Sequence, residues 1–154
     1  MARISLRVNG KARVVDADPK NMLLYVLRND LKLHGPRFGC GVSQCGACNV
    51  IMDGKTIRSC TTPLSVARNR EITTLEGLGS VARPHAIQKA FIEEQAGQCG
   101  YCLNGMIMAA KVLLDKNPDP TDADIKKALV ANLCRCGSHQ RIVRAIKRAA
   151  RERA

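Results

Sequence analysis

The sequence predicts an α+β protein in two parts: a small mixed sheet crossed by a helix, followed by a run of helices. Three observations predict it. Short alternating segments joined by Asn-Gly and Asp-Gly turns crowd the first half. Apolar residues at three- and four-residue spacing fill the second. A turn-rich stretch with little pattern, residues 77–84, lies between them.

The elements follow in order. Residues 3–8 put Ile4, Leu6 and Val8 on one side, as a half-buried strand does. Asn9-Gly10 is a type I′ hairpin signal, so residues 12–16 return antiparallel. Residues 21–31 gather Leu23, Leu24, Val26 and Leu27 on one side of a helix. Residues 47–52 and 55–58 flank Asp53-Gly54 as a second hairpin, and residues 71–74 form a short last strand. Past the boundary, Pro84 fits a first helical turn, and Ile87, Ala90, Phe91 and Glu94 continue that helix. Gly97 fits its stop. Residues 103–114 form a second helix with Leu103, Met106, Ile107, Ala110 and Leu114 on one face, ended by Asn117-Pro118. Thr121 with Asp124 reads as a capping box for a third helix, with Ile125, Leu129 and Leu133 inward. Ser138 suits the cap of a fourth, with Ile142, Val143, Ile146 and Ala149 inward. The expected domains are 1–78 and a four-helix unit over 79–154.

Aromatic residues are 3% of the chain and Trp is absent, so the core must be aliphatic. Halves this small are marginal without a staple, and eight cysteines suggest one. Residues 1–12 lack the apolar region of a secretory signal. No run approaches the ~18 apolar residues of a membrane span. The default expectation is the cytoplasm, a reducing compartment where clustered cysteines bind metal rather than pair. Export on a partner's signal would instead place the chain in the periplasm. The net charge is +12, much of it near the end, where Arg141, Arg144, Lys147, Arg148, Arg151 and Arg153 stand against Glu152. Such an excess suits nucleic acid, an anionic membrane or an acidic protein, or simply a solvated helix face.

Cys40, Cys45 and Cys48 form C-x4-C-x2-C, with Cys60 downstream, which is the plant-type [2Fe–2S] spacing. Such a cluster needs four thiolates, three of them from one tight loop. Gly39, Gly41 and Gly46 permit the dihedrals and the close approach, and free N–H groups to point at sulfur. A zinc site is the alternative, but its knuckles are usually paired C-x2–4-C. The second set, Cys99-x2-Cys102 with Cys134-x-Cys136, is less specific on spacing alone and leaves iron–sulfur and zinc both open. Cys99 and Cys102 are expected at the entry to the second helix, where the N-terminal dipole favours a cluster's negative charge, and Cys134 and Cys136 at the end of the third.

The run Phe38-Gly39-Cys40-Gly41-Val42-Ser43-Gln44-Cys45-Gly46-Ala47-Cys48 resembles the first-cluster loop of the small iron–sulfur subunits of molybdenum hydroxylases, the xanthine dehydrogenase and aldehyde oxidase family. Gln98-Cys99-Gly100-Tyr101-Cys102 and Asn132-Leu133-Cys134-Arg135-Cys136-Gly137 resemble that family's second-cluster motifs. The resemblance spans nearly the whole chain. It implies an N-terminal ferredoxin-like β-grasp domain and a C-terminal four-helix bundle, each holding one [2Fe–2S] cluster. It also implies a large partner subunit with molybdopterin, in its cytosine dinucleotide form. Gln98 matches a glutamine that approaches the pterin, and Cys136 a cluster ligand beside it. Gly137-Ser138-His139-Gln140-Arg141-Ile142 stands where the family commonly has Thr-Gly-Tyr after C-R-C. With Val42-Ser43-Gln44, it is similar to the isoquinoline 1-oxidoreductase, nicotinate dehydrogenase and two-subunit aldehyde dehydrogenase type, which often delivers electrons to a c-type cytochrome. The holoenzyme's substrate is then expected to be an N-heterocycle or an aldehyde.

His139 reads either as a polar contact near the cofactor or as a surface histidine, and His34 and His85 as solvent-facing loop residues. No nucleotide-binding glycine motif occurs. Two rivals remain at this level: a basic zinc protein on nucleic acid, which the scarcity of aromatics opposes, and a free-standing ferredoxin.

Overall fold

The structure is a computed structural model, and it describes residues 1–152. Arg153, part of the basic tail, lies outside the described residues. The protein is α+β, with a five-stranded sheet in its first half and helices after it.

The first hairpin joins β1 (Ala2–Val8) to β2 (Lys11–Ala17). Asn9 and Gly10 both take positive φ, 54° and 72°, as a type I′ turn requires. The second hairpin joins β3 (Asn49–Met52) to β4 (Lys55–Arg58) through Asp53 and Gly54, φ 48° and 76°. The last strand, β5 (Glu71–Thr73), inserts between them, parallel to β1 and antiparallel to β3, giving the order β2-β1-β5-β3-β4. Ile4, Leu6, Val8, Val15, Val50 and Ile72 share the buried face.

Against that face lies the segment read as one helix over 21–31. It is instead a single α-turn, α1 (Leu23–Tyr25), running into a π-turn over Val26–Asp30. The Leu31 N–H reaches back to the Val26 carbonyl, and the Leu33 N–H to that of Leu27. Arg28 pulls the chain on, donating to the carbonyls of His34 and Pro36. The wider winding leaves Leu23, Val26 and Leu27 in the sheet core while Leu24 packs on Cys48 and Cys60. A further short helix, α2 (Leu64–Ala67), adds Leu64 and Ala67 to the sheet core.

Four helices follow: α3 (Ala86–Glu93), α4 (Leu103–Lys116), α5 (Asp122–Leu129) and α6 (His139–Glu152). They enclose a core of Ile87, Phe91, Met106, Ile125, Ile142 and Ile146, against which Leu75 and Leu78 also pack. Several expectations need correction here. Pro84 precedes the cap of α3 rather than starting its first turn. His85 is the cap: its Nδ1 accepts from the Ile87 N–H, while Gln88 accepts from the His85 N–H. The stop after α3 is made by Gln95 at φ 47°, not by Gly97. Gly97 lies against the Leu103 side chain, where a Cβ would be crowded. Leu133 lies beyond α5 and is 66% exposed. The Thr121–Asp124 capping box is present as read.

The larger surprise is α4. Its expected face is buried, but so are Asn104, Met108 and Ala109 on other sides, because α4 packs on the helical core and on β3 and β4 at once. It is one element through which the two halves meet. The basic face of α6 also has a local use. Arg144 and Arg148 pair with Glu94, Arg148 with Glu93 and Glu152, and Lys147 with Asp122. Exposed pairs of this kind contribute little individually, yet they give Arg144, Lys147 and Arg148 acidic partners within the chain.

Candidate metal centres

None of the eight cysteines is joined in a disulfide. They gather into two sets of four, and each set falls into pairs. In the first, Cys40 pairs with Cys45, and Cys48 with Cys60. In the second, Cys99 pairs with Cys136, and Cys102 with Cys134. Among the described residues no three His, Cys, Asp or Glu side chains close on one point as the ligands of a single ion would.

The first quartet is built on a loop that curls around its own sulfurs. The Val42, Gln44 and Cys45 N–H groups donate to Cys40 Sγ at 3.4, 3.2 and 3.4 Å, and the Cys40 N–H donates to Cys45 Sγ at 3.3 Å. Gly41 and Gly46, at φ 71° and 75°, make the curl possible, and Ser43 joins them at φ 64°. Gly39 needs its missing side chain for a different reason: a Cβ there would stand 2.6 Å from Cys45 Sγ. The N–H donors, that of Val42 foremost, bring the exposed Cys40 thiol down to about 7. Cys48, buried under Leu24, is pushed up to about 11 by desolvation. The Ser59 hydroxyl donates to the Cys48 carbonyl and holds the hairpin end, so that Cys60 arrives beside Cys48.

The second quartet sets an exposed thiol against a half-buried one on a different frame. Cys102 is the residue before α4, and burial pushes its thiol up to about 12. Cys99 is exposed, and its pKa is lowered, first by the Tyr101 N–H. Cys134 and Cys136 stand in the turn between α5 and α6, past the end of the third helix where they were expected. Burial pushes the Cys134 thiol up, but hydrogen bonds from the Ser138 and Cys136 N–H groups, the Ser138 hydroxyl and Cys102 outweigh it, so the net shift is downward. Ser138 thus directs its hydroxyl to a sulfur.

These observations test the fit of a [2Fe–2S] centre, two irons joined by two bridging sulfides. Such a centre takes two thiolates on each of two irons. It carries negative charge that N–H donors offset, and it sits best in apolar surroundings. Sulfurs in pairs, N–H groups aimed at sulfur and the apolar contacts of Leu24 and Ala47 meet those demands. Both quartets open onto one cavity of about 290 Å³, bordered by Cys40, Cys45, Cys99, Cys102, Cys134 and Tyr101. Across it the halves are tied directly. The Leu133 N–H donates to the Cys45 carbonyl at 3.0 Å, Arg37 to the Gly100 carbonyl at 3.0 Å, and the Tyr101 hydroxyl to the Phe38 carbonyl.

Gln98 is exposed beside Cys99 and borders a shallow recess with Phe91, Ile92 and Leu103. His139 is exposed too, on another recess with Asp122 and Lys126 that no cysteine borders. Sequence reasoning missed Arg58, Asn49 and Asn104, which bind the loops of the two quartets together. Only one signal pointed to them: a polar Asn104 inside the apolar run of α4.

The chain matches two family models. A 2Fe-2S iron–sulfur cluster binding domain covers residues 6–74, and a [2Fe-2S] binding domain covers residues 74–147. The chain is 61% identical to one of the subunits of nicotinate dehydrogenase from Pseudomonas putida, over 97% of this chain and 96% of that one. It is 50% identical to the alpha subunit of isoquinoline 1-oxidoreductase from Brevundimonas diminuta, over 98% and 99%. A chain of quinoline 2-oxidoreductase from Pseudomonas putida 86 superposes with a TM-score of 0.93 at 36% identity, covering 97% of this chain and 94% of that one. These likenesses favour neither a zinc protein on nucleic acid nor a free-standing ferredoxin. The paired thiols, the matched models and the relatives agree: the chain belongs to the small iron–sulfur subunits of the molybdenum hydroxylases, where it serves as an electron-transfer component of an oxidoreductase.

Proposed function

We propose that this subunit draws electrons singly from the molybdopterin of a large partner, through a centre held by Cys99, Cys102, Cys134 and Cys136. They then pass through one held by Cys40, Cys45, Cys48 and Cys60, and on to an external acceptor of the c-type cytochrome kind. The observation that carries the reading is that both quartets face one apolar cavity and are joined through the Leu133 N–H and the Cys45 carbonyl. When bound, a [2Fe–2S] cluster supplies a one-electron store. The chain's own residues do the rest. The Val42, Gln44 and Cys45 N–H groups offset charge on Cys40; Ser138 does so at Cys134. Leu24 covers Cys48 and Cys60, and Ala47 lines the cavity beside Cys45.

Further parts of the reading rest on family resemblance. Gln98 and Cys136 lie toward the pterin, which takes its cytosine dinucleotide form. The chain divides at 1–78 and 79–154, and α3 to α6 serve as a four-helix bundle around the second centre. The substrate of the holoenzyme is an N-heterocycle of the nicotinate type, favoured over an aldehyde by the 61% identity to a chain of nicotinate dehydrogenase. The thiol-rich chain works in the cytoplasm. No helix among the described residues is long and apolar enough to cross a membrane.

The test is co-purification with the large partner, metal analysis and reduction with nicotinate or an aldehyde. About 4 Fe per small chain, two distinct paramagnetic signals and molybdenum in the complex are expected. A native protein filled with zinc and free of iron would overturn the reading.

A further inference from the structure

We propose that Arg58, with Asn49, Asn104 and Asn132, is a positioning device that sets the spacing of the two quartets and thereby the rate of electron exchange between them. The proposal rests on the two-centre reading above.

Arg58 closes β4, two residues before Cys60. Its guanidinium donates in three directions: Nε to the Ser43 carbonyl at 3.2 Å, Nη2 to the Ala131 carbonyl at 2.8 Å, and Nη1 to Asn49 Oδ1. Ser43 belongs to the loop of the first quartet, and Ala131 leads into Cys134 of the second. One planar group therefore spans the two. Asn49 extends the bridge, its Nδ2 donating to Asn132 Oδ1 at 2.9 Å and to the Gly105 carbonyl at 3.1 Å. Asn104 completes it, donating to the Ala47 and Asn49 carbonyls at 2.9 and 3.0 Å.

Each of these residues stands within three positions of a cysteine, and the network draws on the neighbours of Cys45, Cys48, Cys60, Cys102 and Cys134. Asn49 and Asn104 are 0% and 2% exposed, so their hydrogen bonds act in a weakly polarisable interior where losing one is costly. The backbones are pressed together as well. A Cβ on Gly105 would collide with the Gly46 carbonyl, and one on Gly46 with Asn132. A guanidinium fork has fixed geometry, so the separation of the Ser43 and Ala131 carbonyls follows from its shape. A lysine ammonium would keep the charge and lose the span.

The test uses the holoenzyme and the variants Arg58→Lys and Asn132→Ala. Iron per chain, the individual paramagnetic spectra, the magnetic splitting between the two reduced centres, and the exchange rate after rapid reduction are all measured. Arg58→Lys is expected to keep about 4 Fe per chain and both individual spectra. Its splitting should change and its exchange rate fall below the parent's. Asn132→Ala should shift both readouts the same way by less. It leaves the Arg58 contacts to Ser43 and Ala131 in place, so it carries the comparison if Arg58→Lys does not fold. Parent splitting and rate in fully loaded Arg58→Lys would overturn the proposal. So would loss of one iron pair, which would make Arg58 a builder of the first site rather than a spacer. A parent protein without two iron centres would instead overturn the functional reading.

Discussion

The two quartets reach similar chemistry from opposite constructions. The first takes three of its thiols from a nine-residue loop, 40–48, that supplies its own N–H donors and its own positive-φ residues. The second is assembled from two segments far apart in sequence, one entering α4 and one between α5 and α6. Its geometry therefore depends on how the helices pack. Yet both sets contain an exposed thiol of lowered pKa, Cys40 or Cys99, and a more enclosed thiol of raised pKa, Cys48 or Cys102. One site is written into a loop; the other is a consequence of a core.

The largest expected effect separates them directly. Cys45→Ser should drop iron from about 4 to about 2 per chain and remove one paramagnetic signal, leaving the helices and the other signal intact. Cys134→Ser should remove the other signal and also lower the melting temperature of the helical half, since its thiols staple two helix connections. If Cys134→Ser melts like the parent, the contrast between loop-built and core-built sites fails.

Next come the cores. Ile125 and Leu64 are fully buried, one in each half. Replacing either by Ala should cost about 2–5 kcal/mol in denaturant unfolding. Iron should be lost from the second centre in Ile125→Ala but retained by the first. Leu64→Ala, in the sheet core, should lose little iron from either centre, because the 40–48 loop supplies its own donors.

A smaller effect distinguishes two glycines with nearly the same backbone. Gly10 and Gly46 have φ 72° and 75°, but Gly10 faces open space whereas Gly46 faces Asn132. Gly10→Ala should cost about 1–2 kcal/mol for the left-handed conformation alone. Gly46→Ala should cost more, by thermal unfolding, because it also forces the halves apart.

The smallest effect is acid sensitivity in α5. The Thr121 hydroxyl and N–H hold the Asp124 carboxyl below its usual range. A depressed native pKa means the stabilisation is complete above the unfolded value, about 3.9, and is lost as pH falls through the native one. Melting temperature followed from about pH 5 to about pH 2 should therefore fall less steeply in Asp124→Asn than in the parent.

Much of this was legible because it is local. Asn9-Gly10 and Asp53-Gly54 fixed both hairpins, Thr121 with Asp124 fixed the start of α5, and the 40–48 spacing marked the first quartet. The failures are where distant groups compete with local preference. The segment 21–31 has helical periodicity, yet Arg28 and the carbonyls of His34 and Pro36 draw it into a π-turn. His85 looked like a loop residue, because a capping imidazole is indistinguishable from a solvated one until Ile87 and Gln88 are placed. Leu133 followed the apolar spacing of α5, but the helix stops at Leu129 and its N–H turns to Cys45 instead.

By itself the sequence determined which sulfurs exist, how the first loop must curl, and where most strands and helices run, since spacing, turn residues and periodicity act over a few residues. Only the tertiary structure decided that α4 is buried on two sides, that Arg58 and three asparagines bridge the quartets, and that both quartets share one cavity. Those features arise from contacts between residues tens of positions apart, which no short-range pattern records.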